Sequence, residues 1–97
     1  MKDLELYIRS SDPNDVTDAL YYLMGRGKGD DVLSVEDVIP ELIGSADEDI
    51  AWGAIMSFGV VRDGGKFRAA IQEAKMRWYG KAGYIVDAAD AALLKSS

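Results

Sequence analysis

The 97-residue sequence predicts an all-α single domain of about six helices, paired into hairpins at about 2–25, 34–61 and 65–95. Three observations carry that expectation. Apolar residues recur at i, i+3, i+4 spacing in every long segment. Asp, Ser and Pro stand where helices would start, and Gly stands where they would stop. No segment alternates apolar and polar residues as a half-buried strand would.

Leu4, Tyr7 and Ile8 form the stripe of a short first helix. Asp12-Pro13 reads as an N-cap and first helical residue. Val16, Ala19, Leu20, Leu23 and Met24 then share one helical face. Gly25 can adopt the left-handed conformation that a helix stop uses. Ser34 is expected to open the third helix, with Asp37 three residues on in a near capping box. Val35, Val38, Ile39, Leu42 and Ile43 are its stripe, and Gly44 ends it. Pro40 falls inside that helix, where it removes a backbone bond and kinks the rod. Ser45 and Glu48 form a capping box for the fourth helix. Asp47 and Asp49 suit the positive end of its dipole. Its apolar positions are Ile50, Gly53, Ala54, Phe58 and Val61. After the turn Asp63-Gly64-Gly65, the fifth helix is striped by Phe67, Ala70, Ile71, Ala74 and Trp78. Gly80 and Gly83 loosen the link to an alanine-rich sixth helix with Ile85, Ala88, Ala89, Ala92 and Leu93.

Composition narrows the function. With 48% hydrophobic residues the chain can build a real core. It has no Cys and no His. That removes disulfides, thiolate metal sites, the commonest general base and the Ser-His triad, and it fits a reducing cytoplasm. Neither a bilayer-spanning apolar run nor a signal-peptide pattern is present. The net charge of −6 is uneven: residues 1–50 carry 13 Asp/Glu against 4 Lys/Arg, and residues 51–97 carry 4 against 7. An acidic half repels nucleic acid and attracts basic partners.

An internal repeat is visible. SSDPNDVTDALYYLMG (10–25) aligns with GSADEDIAWGAIMSFG (44–59) at an offset of 34, pairing Asp15 with Asp49, Val16 with Ile50 and Gly25 with Gly59. A weaker third copy lies 35 further on, with Ile85, Ala88, Ala89 and Leu93 over Ile50, Gly53, Ala54 and Phe58. Two helices per unit at such a period mark an α-solenoid. GRGKGDD (25–31) then aligns with GVVRDGG (59–65), and both read as connectors. A phosphate loop would need to precede a helix rather than follow one.

VEDVIPELIGSADEDIAWGAIMSFG (35–59) resembles a HEAT repeat of the short bacterial type also seen in phycobilisome-lyase-like proteins. The shared features are Pro40 in the first helix, Leu42 soon after, the acidic turn Asp47-Glu48-Asp49, Ile50, the small Ala54 and the Phe58-Gly59 ending. SSDPNDVTDALYYLMGRG (10–27) fits the second half of the same unit. Thr17 and Ala51 stand where the pattern has arginine, and the third unit matches loosely. The resemblance implies a right-handed α-solenoid of three HEAT-like hairpins, with the second helices lining a concave side.

In that register Asp18, Trp52 and Asp87 form one row, Tyr21, Ile55 and Asp90 a second, and Tyr22, Met56 and Ala91 a third. Two readings stay open for the stripe Trp52, Ile55 and Met56. Neighbouring helices bury it, or it is a binding surface with aromatic anchors and an acidic rim. The candidate partner-binding residues are Asp18, Tyr21, Tyr22, Trp52, Met56, Asp87 and Asp90. Lys66, Arg68, Lys75, Arg77 and Lys81 around Trp78 and Tyr79 are the opposite case, either a solvated helix face or a nucleic-acid surface. Asp47-Glu48-Asp49 lacks the alternate ligands of a calcium loop, and Asp30-Asp31 has no placeable partner. No catalytic residue, metal, cofactor or bilin site is expected.

The chain reads as a complete, short, acidic cytoplasmic protein without catalytic residue types. The expected function is a non-enzymatic protein-binding module, foremost an immunity or inhibitor protein that covers a basic surface on a toxin or enzyme. A HEAT-like adaptor or accessory subunit is the alternative, and a nucleic-acid-binding helical domain the second.

Overall fold

Aspartate side chains cap the starts of two of the helices. The Asp12 carboxylate accepts from the Asn14 N–H at 2.9 Å, while Ser10 Oγ accepts from the Asp12 N–H at 3.0 Å. The Asp47 carboxylate accepts from the N–H groups of Asp49 and Ile50 at 2.9 and 3.2 Å, and Ser45 Oγ accepts from the Asp47 N–H at 3.0 Å. Each carboxylate satisfies donors that a helix start leaves open. The same Ser-x-Asp device therefore recurs 35 residues apart, at Ser10/Asp12 and Ser45/Asp47. The capping box expected from Ser45 and Glu48 does not form, and the two capped helix starts are 35 residues apart rather than the 34 of the expected repeat.

The computed structural model describes residues 3–27, 29–62 and 64–95. Residue 2 of the first expected hairpin, Lys28 of GRGKGDD and Asp63 of the expected turn lie outside them. The helices are α1 (Leu4–Ile8), α2 (Pro13–Gly25), α3 (Gly29–Val35), α4 (Ile39–Ile43), α5 (Glu48–Ile55), α6 (Arg68–Trp78) and α7 (Gly83–Lys95). A 3-10 turn, Glu36–Val38, joins α3 to α4. A π turn, Met56–Val60, extends α5, and a second 3-10 turn, Gly65–Phe67, leads into α6. Among the described residues there is no strand, so the all-α expectation holds.

Several boundaries differ from the expectation. The helix assigned to Ser34 starts at Gly29, so the acidic end of GRGKGDD is the first turn of α3. Asp30 and Asp31 suit that positive end. Ser34 caps nothing: its hydroxyl donates to the Asp31 carbonyl at 2.8 Å. Asp37 instead pairs with Arg9, at the end of the first helix, at 2.9 Å. Pro40 is the second residue of α4, where a missing N–H costs least. Gly25 is the last residue of α2 without a left-handed backbone; among the described residues only Gly80 has positive φ, at 78°. Tyr79 has φ −58° and ψ 124°, which with Gly80 matches a type II turn. The Lys81 N–H closes that turn on the Trp78 carbonyl at 2.9 Å.

The helices form two layers. One holds α2, α5 and α7, with α5 in the middle; the other holds α1, α3–α4 and α6. Val16, Ala19, Leu20, Leu23, Ile43, Ala54, Ile55, Ile71, Ile85 and Ala89 form the core between them, all 4% exposed or less. The chain measures 36 × 26 × 20 Å with a radius of gyration of 12.1 Å.

Small residues set the spacing around α5. A Cβ added to Gly53 would meet the Leu20 side chain of α2 at 3.3 Å. One turn on, the buried Ser57 hydroxyl donates to the Leu20 carbonyl at 2.9 Å. On the other flank, a Cβ on Gly59 would meet the Ala92 Cβ of α7 at 2.6 Å and the Ile71 Cδ1 of α6 at 3.1 Å. Gly59 was expected to stop a helix; its place is a close approach between helices instead.

Cations tie the joints. Arg62 donates to the carbonyls of Gly27 and Ser57 at 2.9 and 3.1 Å and lies 5.7 Å from the Phe58 ring centroid. Arg9 reaches the Ser34 carbonyl at 3.2 Å, Arg77 that of Gly44 at 2.9 Å, Arg68 that of Leu93 at 3.1 Å, and Lys95 that of Val60 at 2.7 Å. All these carbonyls lie at or near the ends of helical segments, where acceptors lack intrahelical donors.

Gly59→Ala should destabilise the fold by about 1–3 kcal/mol, the cost of overpacking a filled core. Gly25→Ala should instead be neutral or stabilising by up to about 1 kcal/mol, since its added Cβ meets nothing within 4 Å. Urea unfolding of both variants checks this pair.

Candidate protein-interaction face

The solvent side of the α2–α5–α7 layer carries three aromatic rings in contact. Tyr21 of α2 meets Trp52 of α5 edge to face, with centroids 6.2 Å apart and planes at 75°. Trp52 meets Tyr84 of α7 at 6.4 Å with planes at 52°. Tyr21 and Tyr84 are 47% and 45% exposed, and Trp52 is half-buried between them. The rings therefore form a ladder across three helices. Each contact is worth about 0.5–1.5 kcal/mol, so the ladder is secondary to the core in holding the fold.

Carboxylates surround the ladder. Asp18 precedes Tyr21 by one helical turn and Asp87 follows Tyr84 by one, which puts each acid on its ring's face of the helix. Both are exposed, and among the described residues neither makes a hydrogen bond or ion pair. The Tyr84 hydroxyl donates to Glu48 Oε2 at 3.1 Å, which joins the start of α7 to the start of α5. Partial burial pushes the Tyr84 phenol above its ordinary value. The bond to Glu48 and the charges of Glu48, Asp49 and Asp47 push the same way.

The seven sequence candidates do not all converge. Tyr21 and Trp52 touch, and Asp18 and Asp87 stand beside the ladder. Tyr22 turns the other way: its hydroxyl bonds Asp31 of α3 at 3.3 Å. Met56, in the π turn, is partly buried against the core. Asp90 pairs with Lys75 of α6. Ile55 is fully buried, so only Trp52 and Met56 of the ambiguous stripe reach the surface, each in part. Rows drawn at an offset of 34 set Asp18 over Trp52. The 35-residue spacing of the caps sets Thr17 there.

Tyr84 and Glu48 were missed. Tyr84 is not in Trp52's repeat position; it falls on Asp49's. It reaches Trp52 because adjacent helices meet one turn out of register. An aromatic residue near the start of α7, three before Asp87, was the available signal.

Most basic residues around α6 are engaged within the fold, while Lys81 is exposed and its side chain makes no hydrogen bond or ion pair among the described residues. Lys66 pairs with Glu36, Lys75 with Asp90, and Arg68 and Arg77 are held by carbonyls. Trp78 is 8% exposed, in the core, so it does not share a face with the exposed Tyr79. Open grooves lie elsewhere among the described residues. One of about 650 Å³ is lined by Leu6, Arg9 and Asp15, and one of about 420 Å³ by Leu33, Arg62 and Phe67. Among the described residues no group of His, Cys, Asp or Glu is placed to hold a metal ion, and no helix is long and apolar enough to cross a membrane.

The raised Tyr84 phenol gives a titration test. A phenol held neutral by its fold contributes stability below its unfolded value, about 10, and loses it as pH rises through the folded value. NMR titration of the tyrosine rings should find Tyr84 ionising above the ordinary range. Glu48→Gln should move that midpoint down, because it removes one of the opposing charges. An unmoved midpoint would contradict the hydrogen bond.

No protein-family model matches the chain, and neither does any curated protein or solved structure.

Proposed function

We propose that this chain is a non-enzymatic protein-binding module, and within that class a small acidic immunity or inhibitor protein that covers a basic surface of a toxin or enzyme. The Tyr21–Trp52–Tyr84 ladder supports this reading most directly. It is an aromatic surface with an acidic border, and Tyr and Trp are favoured interface anchors. Unpaired Asp18 and Asp87 would steer a basic partner and speed its association. In this reading the two layers are three HEAT-like hairpins of a right-handed solenoid. The ladder lines its concave side, and the site is cytoplasmic.

An adaptor or accessory role is the second reading, and exposed side chains on the last hairpin favour it. Met76, Tyr79 and Leu94 are 75–79% exposed, whereas a terminal repeat usually has a polar outer face. That hairpin would then dock on a larger assembly.

The test starts with affinity capture under native conditions, followed by reconstitution with the purified partner. Tyr21→Ala/Tyr84→Ala should fold normally and weaken the partner's binding by at least about tenfold, the loss expected from two moderate hot-spot rings. An inhibitor would also abolish its partner's activity at stoichiometric addition. Full affinity in the double variant would rule out the ladder as the binding face. Binding without inhibition would favour the adaptor.

A further inference from the structure

The ladder's spacing specifies the shape of its ligand. Successive ring centroids lie 6.2 and 6.4 Å apart along a path from α2 across α5 to α7. In an extended chain, side chains on one face repeat about every 6.4–6.8 Å. A strand laid across the three helices would thus set residues i, i+2 and i+4 over Tyr21, Trp52 and Tyr84 in turn. A helix fits less well. Its i, i+4 rise is close, about 6 Å, but each such step rotates the side chain by about 40° and carries the third away from the rings.

The chemistry around the rings specifies the side chains. Asp18 lies one turn before Tyr21, Asp49 one turn before Trp52, and Asp87 one turn after Tyr84, so each ring has an acidic neighbour on its face of the helix, with Cβ atoms about 5–6 Å apart. Lys and Arg satisfy both features at once. Their stems or charged heads lie against an aromatic ring, and the charge reaches the neighbouring carboxylate. Most of the fold's own cations, among the described residues, are held elsewhere. Arg9, Arg62, Arg68, Arg77 and Lys95 are engaged by carbonyls, and Lys66 and Lys75 by Glu36 and Asp90.

We infer that this face takes an extended basic segment of the partner, with Lys or Arg at every second position, laid across α2, α5 and α7. The inference rests on the ladder being the partner-binding face and adds the conformation and register of what binds there.

Two synthetic octapeptides of identical composition test it. One alternates lysine and serine, and the other has four contiguous lysines followed by four serines. Each is titrated into the isotopically labelled full chain, and affinity is read from the Trp52 indole and the Tyr21 and Tyr84 ring resonances. The alternating peptide should bind about tenfold tighter, the size two or three exposed cation–π contacts supply. That advantage should vanish in Tyr21→Ala/Tyr84→Ala. Equal affinities would reduce the effect to bulk charge and overturn the inference, as would tighter binding of the block peptide or no binding of either. None of those outcomes touches the ladder-dependent binding of the whole partner, which the double variant tests separately.

Discussion

Everything else in this fold depends on how closely the helices can approach α5. It lies between α2 and α7, and both contacts are made through missing side chains. Gly53 admits Leu20 on one flank, and Gly59 admits Ala92 on the other. A larger residue at either position would push a flanking helix outward. Hydrophobic burial drives the layers together, but it is non-directional. The glycines, with the Ser57 bond to the Leu20 carbonyl, decide where the helices stop. That close approach also lets Trp52 span to rings on both neighbours.

Charge is partitioned by the same architecture. Helix ends crowd the joints between helical segments with carbonyls that lack intrahelical donors. Arginine and lysine from neighbouring segments cover several of them. The chain has few cations for its carboxylates, and the joints absorb most of those in the described residues. Asp18, Asp49 and Asp87, exposed on α2, α5 and α7, are among the carboxylates left over.

The helices and their buried faces were legible in the sequence because periodicity reports burial directly. Val16, Leu20, Leu23, Ile71 and Ile85 are where their spacing puts them. Helix ends were harder to read, because Ser, Asp and Glu can cap in several registers. At Ser45–Glu48 the winner was Asp47, whose short side chain reaches two N–H groups at once. Gly25 and Gly59 look alike in sequence, yet one faces open space and the other a neighbouring helix. Only the packing distinguishes them. The candidate face was half legible. Tyr21 and Trp52 lie together on it, but Tyr22 and Asp90 are turned to other helices by Asp31 and Lys75. A repeat register aligns positions within units and does not report the slant between neighbouring helices. Tyr84 was lost for that reason.

The most direct measurement is an NOE map of the protein in solution, focused on Trp52 and Gly59. Contacts from the Trp52 indole protons to the rings of both Tyr21 and Tyr84, together with contacts from the Gly59 α protons to the Ala92 methyl, are the predicted result. They would establish the close approach and the ladder at once. A Trp52 ring in contact with only one tyrosine, or a Gly59 remote from Ala92, would contradict the arrangement on which the proposed binding face depends.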